Sequence, residues 1–147
     1  MHRRAFTIIE ILVVVSLLVL VILIGVIQFS RARITAHEEM ALLNLRTVFK
    51  ACQAFLTVNQ QYPPNLTILG PAASTPPYLD DSLAQDPAIR QGYQFTYVRL
   101  DAHHFTLNVD PVQYGATGIR HFLTNETGTV YYTTLNQPAT TSDPTIP

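Results

Sequence analysis

The chain has 147 residues, 48% of them hydrophobic and 13% charged, with a formal net charge of −1. That length holds one modest domain and an added segment. From Asn59 onward Arg90, Arg99 and Arg120 face seven acids, a net of −4, so no basic stripe is present to meet nucleic-acid phosphates. Cys52 is the only cysteine, which excludes an internal disulfide.

The first element is an apolar run from Phe6 to Phe29, broken only by Thr7, Glu10, Ser16, Gly25 and Gln28. At about 1.5 Å per residue the run makes roughly 36 Å of helix, enough to cross a bilayer core of about 30 Å. A secretory signal would have a shorter apolar region followed by a small-x-small cleavage site. Here Ser30-Arg31-Ala32 places an arginine inside that site. Arginines flank the run on both sides (Arg3 and Arg4, then Arg31 and Arg33), so charge alone does not orient it. A carboxylate in such a helix costs roughly 2.5–3.5 kcal/mol near the bilayer centre and less toward an end. Glu10 is therefore a candidate functional residue, the bland alternative being a side chain that reaches back to the interface.

The stretch Ala5-Phe6-Thr7-Ile8-Ile9-Glu10-Ile11-Leu12-Val13-Val14-Val15, preceded by Arg3 and Arg4, resembles the N-terminal signature of type IV pilins and type II secretion pseudopilins. The resemblance implies a basic leader (1–5), cleavage by a prepilin peptidase between Ala5 and Phe6, and N-methylation of Phe6. It also implies assembly through Phe6 and Glu10, the amine of one subunit meeting the carboxylate of the next. Ala5 stands where the family usually has Gly, and Ile27 lies near where many members carry a helix-breaking Pro. In such a family the chain would sit singly in the inner membrane, leader cytoplasmic and head periplasmic. An assembly platform and motor would then draw it into a helical homopolymer, a pilus or a secretion pseudopilus, with no cofactor and no catalysis. A monomeric membrane-anchored binding module that happens to begin this way is the alternative from another class.

Beyond the apolar run, Leu42, Leu45, Phe49, Cys52 and Leu56 recur at helical spacing, while Glu38, Glu39, Asn44, Arg46, Lys50 and Gln53 fall off that stripe. One helix over 6–58 is expected, membrane-embedded over 6–29 and amphipathic afterward, about 80 Å long if unbroken. Cys52 belongs to the packing stripe and reads as core. Tyr62-Pro63-Pro64 ends the helix near Asn59. Residues 59–92 hold six of the ten prolines and predict an irregular connection, with a short helical turn from Asn65 to Leu69 capped by Asn65.

The period then changes to two. Tyr93-Phe95-Tyr97 and Phe105-Leu107-Val109 predict a hairpin around Asp101-Ala102. Ile119 to Leu123 and Thr129 to Thr133 predict another around Asn125-Glu126-Thr127-Gly128, with Gly128 at positive φ. The fold class is thus α+β: a long N-terminal helix on an antiparallel sheet of three to four strands over 93–134, with a frayed Thr/Pro-rich tail over 135–147. As adjacent strand residues, His103 and His104 would point to opposite faces, and a shared metal would need Asp101 or His121. Asp80, Asp81 and Asp86 read as solvated loop charges rather than a calcium site. No metal site and no catalytic constellation is expected.

Overall fold

A computed structural model describes residues 7–146, with the side chains of residues 24–27 outside the description. Arg3, Arg4, Ala5 and Phe6, and with them the expected leader and cleavage site, lie outside the described residues. The architecture is α+β, one long N-terminal helix and a six-stranded antiparallel sheet. The chain separates into two compact units, Met1–Arg33 and Ile34–Pro147.

In the first unit the described residues are almost entirely the beginning of helix α1 (Ile8–Asn59). Thr7 starts it: its carbonyl accepts from Ile11 N–H and its hydroxyl accepts from Glu10 N–H, both at 3.2 Å. The first is the opening bond of the helix, and the second satisfies one of the donors a helix start leaves free. The backbone stays helical through Gly25, because the Pro that would remove a backbone hydrogen bond there is absent.

The second unit contains the rest of α1 and the head. The helix ends where Gln60 takes a left-handed φ of 59° and its N–H donates to Leu56 O at 2.8 Å, just before Tyr62-Pro63 forces extended backbone. Asn65 then caps a 3₁₀ turn, Leu66–Leu69, accepting from Ile68 N–H at 3.3 Å. The strands β1 (Ala88–Arg90), β2 (Tyr93–Arg99), β3 (Phe105–Pro111), β4 (His121–Asn125), β5 (Val130–Thr133) and β6 (Thr145–Ile146) follow, each paired with its sequence neighbours. Gly128 closes the β4–β5 turn at φ +75°, as its position predicts.

The registers Tyr97↔Leu107, Leu107↔Thr124 and Thr124↔Val130 put one residue set on the face toward α1. Tyr93, Phe95, Phe105, Leu107, Val109 and Phe122 are buried there against Ala41, Leu45, Val48 and Cys52. Phe105 is the hub, with Tyr62 edge-on at 4.6 Å, Tyr97 stacked at 5.4 Å and Phe49 tilted at 6.3 Å. Tyr97 keeps its hydroxyl satisfied by donating to Pro63 O at 2.8 Å.

Three expectations need correction. The sheet has six strands rather than three or four. Both additions are edge strands of two or three residues, too short to show alternation. β1 lies within the Pro-rich connection. β6 lies in the tail, which is anchored rather than frayed: Tyr132 N–H donates to Pro144 O at 2.9 Å, and Ala139 is buried. The packing stripe of α1 is also rotated. Ala41, Leu45, Val48, Ala51 and Cys52 are fully covered, whereas Leu42, Phe49 and Leu56 are half-buried. The small side chains of Ala41 and Ala51 let the sheet approach on that side. The rotation carries Glu38 and Asn44, both expected off the stripe, into buried positions.

Candidate functional site

Two clusters bear chemistry, one in each unit. In the first unit every described side chain from Ile8 to Leu23 is exposed. Its large hydrophobics leave between 46% and 85% of their surface uncovered. Ile8, Ile11, Leu12, Val15 and Ser16 line an open apolar face. Ser16 hides its hydroxyl by donating to Val13 O at 2.8 Å, which makes it compatible with an apolar surrounding. Glu10 lies in the first turn, where a carboxylate is favoured by the positive end of the helix dipole. No described residue pairs with its carboxylate. By length and composition this helix is sufficient to cross a bilayer.

In the second unit α1 begins with a polar clamp. Glu38 is only 5% exposed. Its Oε1 accepts from the backbone N–H groups of Ile119 and Arg120 at 2.9 and 3.1 Å, and its Oε2 accepts from Arg120 Nε at 2.9 Å. Three donors, one of them charged, compensate the burial of the carboxylate. One residue earlier, His37 Nδ1 donates to Thr117 O at 3.2 Å, which fixes the proton on that nitrogen. Tyr93 closes the clamp by donating to Arg120 O at 2.9 Å. Burial, with the negative charge of Glu38 adding, pushes its phenol well above the ordinary range. A Cβ at Gly118 would collide with the Tyr93 ring, so glycine is required by this approach. The clamp thus fastens the β3–β4 loop (112–120) to the helix.

Sequence reasoning missed this cluster because a polar residue on a helix is ordinarily solvated. The available signal was spacing: Glu38, Ala41, Leu45, Val48 and Cys52 follow one helical stripe.

The remaining candidates resolve into local structure. His103 and His104 precede β3 and belong to the turn, not to a strand. His104 Nδ1 lies 2.7 Å from Asp101, which also accepts His103 N–H at 2.7 Å. The Asp101 hydrogen bond holds the His104 imidazole above its ordinary pKa. The His103 N–H, followed by His104, holds Asp101 below the usual carboxylate range. His121 is elsewhere, paired across the sheet's far face with Asp110 at 2.7 Å and stacked under Tyr114. Asp80 accepts from Arg90 at 2.7 Å and caps the turn at Leu83 at 3.0 Å. That pairing with Arg90 keeps it below the carboxylate norm.

Among the described residues no three His, Cys, Asp or Glu side chains converge on a metal position. Cys52 is fully buried, and burial pushes its thiol up to about 12, leaving almost no thiolate at neutral pH. An open groove of about 390 Å³ at the end of α1, between Phe55, Val58, Ile68, Pro76 and Tyr78, contains no ionisable group except a tyrosine phenol. Family models, curated proteins and solved structures were all compared with this chain, and none matches it.

Proposed function

We propose that this chain is a structural subunit of a type IV pilus or a related secretion pseudopilus, polymerised through its N-terminal helix. The observation that carries the reading is the uncovered apolar helix with one carboxylate near its start that no described residue pairs. That surface needs a second apolar medium. A bilayer provides one, and the packed helices of other copies provide another. Glu10 needs a cation in either medium, and the α-amine freed by cleavage at Ala5-Phe6 is the nearest candidate on a neighbouring copy. Such a pair at about 4 Å and an effective dielectric near 20 gains roughly 4 kcal/mol of Coulomb energy before desolvation. The fold suits a building block, with a head whose polar clamp ties a loop to the helix.

N-terminal mass analysis of the chain from its native membrane tests the reading. The expected product starts at methylated Phe6, whereas retained Met1 indicates a simple anchor. Glu10→Ala should leave membrane insertion intact and abolish most filament yield; normal filaments from that variant would remove Glu10 from the assembly role.

A further inference from the structure

The end of the apolar run carries charge of one sign only. From Ile11 to His37 the formally charged residues are Arg31 and Arg33, and the segment contains no acid. The backbone remains helical through both arginines, and both side chains are exposed. Phe29, the last residue of the run, is 73% exposed beside them. A wide apolar surface therefore gives way within one helical turn to a cationic collar. Phe29, Arg31 and Arg33 all belong to the first compact unit, Met1–Arg33.

Helix rise sets the depth of that collar in a bilayer. Arg31 and Arg33 follow Phe29 by two and four positions, which is roughly 3 and 6 Å of rise along an upright helix and less along a tilted one. The polar headgroup layer on each side of the hydrocarbon core is roughly 5–8 Å thick. With Phe29 at the edge of the hydrocarbon, both guanidinium groups fall within the layer that holds lipid phosphates. At about 100° per residue the two side chains leave the helix about 200° apart. One headgroup cannot serve both, so each arginine meets a lipid on its own side of the helix.

We propose that Arg31 and Arg33 form a lipid-selecting collar, which gathers anionic phospholipids around the end of the membrane helix. The planar guanidinium fork matches two phosphate oxygens at once. A zwitterionic lipid brings its own ammonium group beside the phosphate, which offsets the attraction. An anionic lipid brings no such cation, and an arginine at the surface favours it by about fivefold. The proposal rests on the membrane half of the preceding reading and not on polymerisation.

The chain has no tryptophan, so an introduced one reports alone. Full-length Phe29→Trp is reconstituted in vesicles of phosphatidylcholine with a minority of phosphatidylglycerol. Bromines are placed on the acyl chains of one lipid or the other, at equal mole fraction. The expected result is stronger quenching by brominated phosphatidylglycerol, with a several-fold higher relative association that shrinks as salt is added. Adding Arg31→Gln and Arg33→Gln should bring the two lipids to parity. The near-UV circular dichroism of the head should stay the same in that variant, since both arginines lie outside the core. A separate Val13→Trp chain checks insertion and should be quenched by both lipids alike. Quenching at 13 with no lipid preference at 29 overturns the collar and leaves the anchor standing. No quenching at 13 by either lipid overturns both. A preference at 29 that survives the double arginine change overturns the assignment to these two residues.

Discussion

The two ends of α1 share a secondary structure and little else. Between Ile8 and Leu23 every described side chain is exposed, and the residues are apolar on all sides. Between Glu38 and Cys52 one stripe is fully covered, and Glu39, Leu43, Arg46 and Thr47 face outward. A helix hydrophobic all round needs a medium, whereas a helix with one apolar stripe needs a partner surface, and the second half finds one within its own chain. Hydrogen-bond geometry is indifferent to this distinction; it lies wholly in which positions carry apolar side chains.

The contrast can be broken most severely at the hub of the head. Phe105→Ala removes a fully buried ring with three aromatic neighbours. It should cost about 3–5 kcal/mol in denaturant unfolding followed by near-UV circular dichroism. The matching change in the other half, Val14→Ala, should leave that transition in place, since Val14 is 46% exposed and outside the core. Glu38→Ala comes next, at roughly 2–3 kcal/mol, because two backbone N–H groups and Arg120 lose a charged acceptor. Hydrogen exchange of the Ile119 and Arg120 amides should rise most in that variant. Asn65→Ala should cost about 1 kcal/mol by removing the cap of the 3₁₀ turn.

The smallest effect is a pH response at the β2–β3 turn. The folded His104 pKa is raised by Asp101, so the pair's contribution is fully present below the unfolded histidine value and fades as pH climbs through the folded one. For Asp101, held low, the contribution is present above the unfolded carboxylate value and is lost as pH falls through the folded one. An NMR titration of Asp101→Asn should return the His104 imidazole toward its ordinary range.

Much of the fold was legible because its signals are local. Tyr62-Pro63 stops a helix by steric exclusion, Asn65 offers an acceptor three residues before Ile68 N–H, and the alternation from Tyr93 to Val109 dictates which face is buried. The edge strands were not legible, because two or three residues have no measurable period and their pairing is decided by the longer strands beside them. Glu38 was misread for a different reason. Its partners are more than 80 residues away, and a buried carboxylate is paid for only by such distant donors. Glu10 is the reverse case: a lone acid within an apolar run stands out in the bare sequence, while no described residue of its own chain pairs with it.

The brevity of β1 and β6 has a consequence for crowding. An exposed sheet margin is a template on which another chain can continue the ladder, and its hazard grows with the number of free backbone groups in a row. Here β1 and β6 themselves offer three and two residues, while Thr96 to Arg99 of β2 run on past the end of β1. A foreign strand would therefore find little to pair with along β1 or β6, and the part of β2 beyond β1 is the stretch where such pairing would have room.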